Sequence, residues 1–430
     1  MATELQTASA EVAATRRLLA ELTSEYGPHD FAVRYWTGQV DDPAPGQPSR
    51  FTLILEHPGA LRSMFWPFDK LALGESYIYG DFEIDGDFHA FFGLLRHLIN
   101  RRFDWRTKLR LLRLMLALPN ERRPRTGRQG VQLSGAVHSK ERDQQAISYH
   151  YDLPAAFYEL WLDRLQMYTC GYFRTPEDDC DAAHAQKCEM ICRKLRLKPG
   201  ERLLDIGCGW GGFIEYVATH YDVECVGITI SREQAQFAKE RWKKAGVADR
   251  CRLELCDYRD FRDERGFDKV ATICVIEHFG VAKLPEYFRC VYRLLKPGGA
   301  FLNQHITMAA NHPVPKWRGF ARKYVFPDGE LQPISDTLRM AEYAGFEIRD
   351  VECWRDHYML TLKQWFDNLE ARRAEIVALT DEVTFRIYRL YLAGSLSGFH
   401  TGLYKVYQTL QVKPREGPSG LPLTREDWYR

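Results

Sequence analysis

A glycine-rich turn between a buried strand and a helix constrains the fold of this chain more than any other feature. Residues 203–212 read LLDIGCGWGG, and the pattern D-x-G-x-G-x-G is formed by Asp205, Gly207, Gly209 and Gly211. Glycines here permit positive φ angles and let the backbone approach a bound molecule closely. In an open α/β sheet, cofactors bind at the carboxyl ends of the strands, where such a loop lies. We therefore expect this loop to hold a cofactor.

Strands and helices alternate from about residue 145 onward. Buried strands are expected at 201–207, 223–229, 251–256, 268–277 and 299–306, with helical patterns between them. This alternation predicts an α/β fold with a parallel, doubly wound sheet. The C-terminal part adds amphipathic helices at about 361–400 and a last strand near 403–411.

The glycine spacing discriminates between cofactors. A dinucleotide site needs G-x-G-x-x-G and an acidic residue about 20 residues later, which binds a ribose hydroxyl. Here the spacing differs, and the second strand ends in Gly227-Ile228-Thr229 without an acid. The pattern resembles instead the first motif of methyltransferases that depend on S-adenosylmethionine. That cofactor is therefore expected, and a nucleotide-dependent oxidoreductase is the alternative.

Seven segments, one of which contains the glycine-rich loop, occur in a fixed order. They are HYDLPAAFYELWLD (150–163), MYTCGYF (167–173), KPGERLLDIGCGWGG (198–212), YDVECVGITISREQ (221–234), DYRDF (257–261), IEHFG (276–280) and LLKPGGAFLNQHI (294–306). Together they resemble the cyclopropane-fatty-acid synthase and mycolic-acid methyltransferase family over residues 145–411. GESYIYGDF (74–82) resembles the N-terminal extension of members that act on phospholipids. The resemblance implies a class I, Rossmann-like methyltransferase sheet with helical insertions and a smaller α+β N-terminal domain.

The resemblance also implies the residues that contact the cofactor. They are Tyr168, Thr169, Gly207, Gly209, Thr229, Gln234, Asp257 and Tyr258. Thr229 and Gln234 would explain the missing acid, because hydroxyl and amide groups can hydrogen-bond a ribose without carrying a charge.

Alkylation of a double bond requires a base after methyl transfer, because the alkene has no proton to lose beforehand. The family is understood to use a bound bicarbonate ion, which a cysteine, a glutamate, a histidine, a tyrosine and one main-chain amide hold. The matching positions are Cys170, Glu277, Gln304, Tyr358 and the main chain of Ile306. Gln304 therefore stands at the position of the histidine.

The neighbouring His305 is not expected to replace that histidine, because successive strand residues point to opposite faces of a sheet. A glutamine can donate a hydrogen bond to an anion, but it cannot accept a proton as imidazole can. Three outcomes follow. The ring still closes, a hydride shift gives a methylene or later a methyl branch, or the site takes another acceptor.

Composition bears on compartment and partners. With 59 basic and 58 acidic residues, the net charge of +1 does not favour nucleic acid as a partner. Eleven cysteines without a C-x-x-C pair argue against disulfides or a metal site and favour the cytoplasm. The sequence contains no apolar run of about 18 residues, so no membrane-spanning segment is expected.

Residues 96–128 are strongly basic, with eleven cations and the two acids Asp104 and Glu121. Apolar residues occur among them near helical spacing, at Trp105, Leu109, Leu112, Met115 and Leu116. The segment is either a solvated helix with a basic linker or a site that docks on anionic lipid headgroups.

We therefore expect a lipid-docking domain over 1–130 and a methyltransferase domain over 131–430, in a protein peripheral to the inner face of the membrane. The expected reaction is methyl transfer to the cis double bond of unsaturated phospholipid acyl chains, which forms cyclopropane fatty acids with bicarbonate as the base. The alternatives are branched products, methylation of a small soluble amine, and a module that binds cofactor or lipid without catalysis. Family analogy favours a homodimer.

Overall fold

The chain divides into two compact units. The computed structural model describes residues 2–43, 45–66, 70–151, 153–312 and 319–429. The first unit comprises Met1–Gly130, Trp317–Tyr324 and Val377–Ser397, and the second comprises Val131–Lys316, Val325–Ile376 and Gly398–Arg430. Two later segments thus belong to the first unit, which neither composition nor motifs indicated.

The first unit combines a small sheet with helices. Its strands are β1 (Phe31–Arg34), β2 (Val40–Asp41), β3 (Phe51–Leu55) and β4 (Phe82–Gly86). They lie in the order β2-β1-β3-β4. The helices of its first stretch are α1 (Ala2–Thr23), α2 (Ala60–Phe65), α3 (Lys70–Ile78), α4 (Phe88–Asn100) and α5 (Trp105–Leu116).

Aspartates begin two of these helices. The Asp87 side chain accepts a hydrogen bond from the Ala90 nitrogen at 2.9 Å, and Asp104 caps α5 in the same way. Helix α4 therefore begins directly after Asp87, and α3 and β4 precede it in the chain. Tyr77 and Phe82 anchor these elements, with buried rings whose centroids are 5.6 Å apart.

The second unit contains a larger sheet. Its strands are β5 (Arg202–Ile206), β6 (Glu224–Thr229), β7 (Cys251–Leu255), β8 (Phe267–Ile273), β9 (Leu295–Met308), β10 (Glu347–Cys353) and β11 (Tyr404–Val412). They lie in the order β10-β11-β9-β8-β5-β6-β7. The run from β9 to β7 is parallel, and β11 is antiparallel to both of its neighbours. The predicted doubly wound α/β fold is confirmed.

The remaining helices follow from residue 140 onward. They are α6 (Lys140–Tyr151), α7 (Ala155–Glu159), α8 (Cys180–Leu195), α9 (Gly212–His220), α10 (Arg232–Lys244), α11 (Leu284–Leu294), α12 (Phe320–Tyr324), α13 (Ile334–Tyr343), α14 (Arg355–Ala371), α15 (Arg373–Leu379) and α16 (Glu382–His400). Helix α12 lies in the first unit, as does α16 up to Ser397. In the described part of the chain, no helix is both long and apolar enough to cross a membrane.

The parallel strands form the core of the second unit because both of their faces are covered. Leu204, Val226 and Val270 are completely buried in one hydrophobic cluster. Such strands read as continuous apolar runs, which is why the sequence located them. Strand β10 was not expected, because four of its seven residues are charged. It lies at the edge of the sheet, where one side of the strand needs no partner.

Candidate active site

The glycine-rich loop lies at the carboxyl edge of the large sheet. Strand β5 ends at Ile206, and α9 begins at Gly212. Gly207 and Gly209 have φ angles of +76° and +53°. A Cβ atom at Gly207 would lie 2.6 Å from a methyl carbon of Val275, whereas one at Gly209 would meet no atom within 4 Å. Gly207 therefore permits close packing, and Gly209 leaves space in front of the backbone.

A cleft of about 1110 Å³, including its opening to solvent, lies over this loop. All the residues predicted to contact the cofactor line it, namely Tyr168, Thr169, Gly207, Gly209, Thr229, Gln234, Asp257 and Tyr258. They come from the segment before α8, from the glycine loop, from the end of β6 and the start of α10, and from the region that follows β7. The fold thus brings together eight residues from four segments of the sequence.

Thr229 and Gln234 form a polar pair at the end of β6. The Thr229 hydroxyl donates to Gln234 Oε1 at 3.1 Å, and Ser231 caps α10 by accepting from the Gln234 nitrogen. Both side chains are buried and line the cleft. The pair occupies the position at which dinucleotide enzymes carry a ribose-binding acid.

Asp205 supplies a carboxyl group beneath the loop. It lines the cleft, and its Oδ1 atom has no hydrogen-bond partner among the described residues. Burial raises the pKa of Asp205 to about 7, against the opposing effect of the Lys187 ammonium. A buried acceptor without a partner is costly unless a ligand supplies a donor. The cleft therefore fits S-adenosylmethionine, which carries an ammonium group and a sulfonium.

Arg259 and Asp143 were not predicted as site residues. Arg259 donates to Asp257 Oδ1 at 2.8 Å and to Oδ2 at 2.6 Å, and its Nη2 also donates to Asp143 Oδ2 at 2.9 Å. Both Asp143 and Arg259 line the cleft. A bidentate ion pair with Arg259 thus fixes the Asp257 side chain. The D-x-R spacing at 257–259 was the sequence signal from which this pair could have been predicted.

Glu277 and Ile306 meet directly. Glu277 lies in the short helix after β8, and its Oε1 accepts a hydrogen bond from the Ile306 nitrogen at 2.7 Å. The other carboxyl oxygen has no hydrogen-bond partner among the described residues. Burial raises the pKa of Glu277 to about 7. This carboxyl can therefore change protonation state near neutral pH.

Cys170 lies beside the first turn of α14, the helix that carries Tyr358. Cys170 Sγ lies 3.7 Å from the Trp354 carbonyl oxygen, which also accepts the helical hydrogen bond from the Tyr358 main-chain nitrogen at 3.0 Å. Burial raises the pKa of the Cys170 thiol far above its usual range, so the thiol stays neutral. The Tyr358 ring is also buried, and its centroid lies 4.7 Å from that of Phe399.

Gln304 and His305 point to opposite faces of β9. Gln304 Oε1 accepts from Gln408 Nε2 at 2.9 Å, and Gln304 Nε2 lies 3.7 Å from Cys274 Sγ at the cleft. His305 instead lies 3.0 Å from the Thr337 hydroxyl, where burial lowers its pKa to about 3. The alternation of strand residues thus separates His305 from the residues that surround Gln304.

Comparisons with known proteins agree with this geometry. Residues 138–409 match the family model of mycolic acid cyclopropane synthetase. The chain is 37% identical over 402 residues to a probable fatty acid methyltransferase of Pseudomonas putida, which covers 93% of this chain and 96% of the relative. It is 33% identical over 357 residues to the cyclopropane-fatty-acyl-phospholipid synthase of Escherichia coli K12, with 83% and 86% covered.

Among solved structures, the mycolic acid cyclopropane synthase CmaA1 complexed with SAH and CTAB has a TM-score of 0.59 and 30% identity. The match covers 63% of this chain and 98% of the CmaA1 chain. The family match covers more than half of the present chain and includes the cleft and every predicted site residue. The chain therefore belongs to the mycolic acid cyclopropane synthetase family of S-adenosylmethionine-dependent methyltransferases.

Proposed function

We propose that this protein transfers a methyl group from S-adenosylmethionine to the cis double bond of an unsaturated phospholipid acyl chain and closes a cyclopropane ring. The observation that carries the proposal is the buried contact between Glu277 and Ile306 next to the cofactor cleft. An alkene needs a base only after methyl transfer, when a proton must leave the alkylated chain. The buried polar groups around Glu277 suit the binding of that base. The relative from Escherichia coli is named for this substrate.

Shielding of the reacting centre is the first task of the protein in this reaction. Bound S-adenosylmethionine supplies an electrophilic methyl group. Tyr168 lines the cleft, and its ring centroid lies 5.2 Å from that of Trp161 and 5.4 Å from that of Trp365. The Tyr168 ring, which the two tryptophans hold in place, would exclude water from the cleft, and its face would attract the positive charge that develops on the alkylated chain.

Binding of the base is the second task. Gln304 offers amide N–H groups, Cys170 offers a neutral thiol, and Glu277 can donate from its protonated form. These donors fit a small oxyanion, and we propose that together with Tyr358 they hold bicarbonate, while the Ile306 main-chain amide, which donates to Glu277 Oε1, orients the Glu277 carboxyl. The base would then accept the proton that leaves the new methyl group.

The first unit would dock on anionic lipid headgroups. Trp105, Leu109 and Leu116 lie along one face of α5 and are 70%, 40% and 50% exposed. Exposed cations flank this stripe at Arg106, Lys108 and Arg113. An apolar stripe between cations suits a helix that lies in a membrane surface.

A branched product is the second candidate, and Gln304 is the observation that favours it. Its amide cannot accept a proton, so a hydride shift can compete with ring closure. Loss of a proton from the new methyl group to the base then gives a methylene branch, and a methyl branch would require a later reduction by a separate hydride donor. The relative from Pseudomonas putida is named a fatty acid methyltransferase, without mention of a ring.

Whole-lipid mass spectrometry tests the proposal. Cells with monounsaturated phospholipids that express the protein should gain species heavier by one CH2 unit, and cells that express the Glu277→Gln variant should not. Proton NMR of the isolated acids distinguishes cyclopropane from exomethylene protons. If the purified protein binds S-adenosylhomocysteine but the lipids of the expressing cells are unchanged, the lipid substrate is contradicted. Soluble amines would then be the substrates to test.

A further inference from the structure

A row of polar side chains crosses the sheet beside Gln304. The strand register pairs Gln304 of β9 with Gln408 of β11, and Gln408 with Glu352 of β10. Residues paired in this way present their side chains on the same face of a sheet. Lys194 of α8 packs against this face, where its Nζ donates to Gln408 Oε1 at 2.8 Å and also contacts the Glu352 carboxylate.

Three of the four side chains in the row are almost completely enclosed, and Glu352 is partly exposed. Lys194, Gln408 and Gln304 are each buried. The Lys194 ammonium also lies 5.1 Å from the ring centroid of Trp354 and 5.6 Å from that of Trp428. A buried charge must be held by specific partners, because water cannot replace them. The side chains of this row therefore keep these hydrogen-bond partners.

The ammonium determines the direction of both amides. An ammonium group has donors and no acceptor, so Gln408 must turn its oxygen toward Lys194. The Gln408 nitrogen then faces Gln304 and donates to Gln304 Oε1 at 2.9 Å. With its oxygen engaged, Gln304 directs its nitrogen the other way, to within 3.7 Å of Cys274 Sγ. Cys274 lines the cofactor cleft.

We infer that Lys194 and Gln408 are positioning residues, which fix the Gln304 side chain with its N–H donors toward the cleft so that it binds the anionic base. The inference rests on the proposed function, because the anion is the base of that reaction. An unrestrained amide can rotate and present its oxygen, which repels an anion. The row prevents this rotation, and so gives a glutamine the donor role that a histidine has elsewhere in the family.

The Gln408→Glu variant tests the direction of the row. The carboxylate keeps its partner Lys194 but cannot donate to Gln304, which must then turn its nitrogen toward β11 and its oxygen toward the cleft. The test uses the full-length protein labelled with 15N-glutamine, in which the Gln304 signal is assigned by its loss in Gln304→His. Sodium bicarbonate should shift this signal in the wild type. The affinity of the Gln408→Glu variant for bicarbonate should be about tenfold lower than that of the wild type.

Affinity for S-adenosylhomocysteine, measured by calorimetry, should stay within about twofold of the wild type, since the row does not touch the cofactor residues. If Gln408→Glu does not fold, Gln408→Leu serves instead, because it also removes the donor to Gln304. Gln411→Leu is the matched control on the same strand. Gln411 is buried and donates to Thr409 rather than to Gln304, so its loss should leave bicarbonate affinity unchanged.

The outcomes separate this inference from the proposed function. Equal bicarbonate affinity in wild type and Gln408→Glu, with similar melting temperatures, would overturn the positioning role. Nuclear Overhauser contacts from the Gln304 amide protons to Cys274 support the inferred direction even without bicarbonate, and contacts to Gln408 instead would overturn it. A wild type with the Cys274 contacts but no response to bicarbonate would refute the proposed base and leave the direction of the row supported.

Discussion

The carboxyl group of Glu277 accepts a hydrogen bond from the main-chain nitrogen of Ile306 at 2.7 Å. This bond joins the short helix after β8 to the neighbouring strand β9. It uses one carboxyl oxygen, while burial raises the pKa of the group to about 7. Near neutral pH the carboxyl is therefore divided between a form that only accepts hydrogen bonds and a form that can also donate one.

The Glu277→Gln substitution tests whether this proton matters for the reaction. The amide can still accept the hydrogen bond from Ile306, but it cannot exchange a proton. We expect incorporation of labelled methyl groups into lipid to fall by about a hundredfold or more. Affinity for S-adenosylhomocysteine should be retained. Glu347→Gln, on the exposed edge strand β10, is the matched control, and a wild-type rate in Glu277→Gln would exclude a catalytic role for the carboxyl.

The raised pKa of Glu277 also predicts how stability depends on pH. In the unfolded chain this carboxyl has a pKa near 4.5, and in the folded protein burial raises the pKa to about 7. Its stabilising contribution is therefore complete below pH 4.5 and is lost as the pH rises toward 7.

Relative to Glu277→Gln, the wild type should lose about 3 kcal/mol of unfolding free energy between pH 4.5 and pH 7 or above. Urea unfolding of both proteins at several pH values measures this difference. A constant difference in unfolding free energy between wild type and Glu277→Gln across this pH range would show that the pKa of the Glu277 carboxyl is not raised in the folded protein.

The sequence predicted the elements whose residues are apolar on both faces. The strand expected at 201–207 is β5 (Arg202–Ile206), and the strand expected at 223–229 is β6 (Glu224–Thr229). The position of His305 away from Gln304 also followed from strand alternation. These features depend on local pattern, which one sequence contains.

Features that depend on distant partners could not be predicted. Lys194 and Gln408 are 214 residues apart and meet only because β11 pairs with β9 while α8 packs on the same face. The ion pair of Arg259 with Asp143 likewise joins two segments with no shared pattern. A buried lysine within an amphipathic helix looks like a surface residue until its tertiary partners are known.

Two glycines with similar backbones test the cofactor loop. Gly207 and Gly200 have φ angles of +76° and +77°, so alanine strains both in a similar way, by about 1 to 2 kcal/mol. Only at Gly207 would the new Cβ approach Val275, at 2.6 Å, because nothing lies within 4 Å at Gly200.

We expect Gly207→Ala to lower the affinity for S-adenosylhomocysteine by about tenfold or more, because the loop must move to relieve the contact. Gly200→Ala should lower the melting temperature slightly and leave this affinity unchanged. Calorimetric titration of both variants checks the prediction. Equal affinities would show that the loop does not need a close approach at Gly207.

The apolar stripe of α5 gives the last prediction. Replacement of Trp105 by serine removes a large exposed side chain from between cations, so binding to vesicles with anionic phospholipid should weaken by about tenfold. The folded state should be unaffected, because the side chain is 70% exposed. Tyr343→Ser is the matched control, since this tyrosine is 84% exposed and lies in the second unit. Vesicle flotation at low and high salt measures both variants, and salt should weaken binding of the wild type. Equal flotation of Trp105→Ser and wild type would rule out docking through this face of α5.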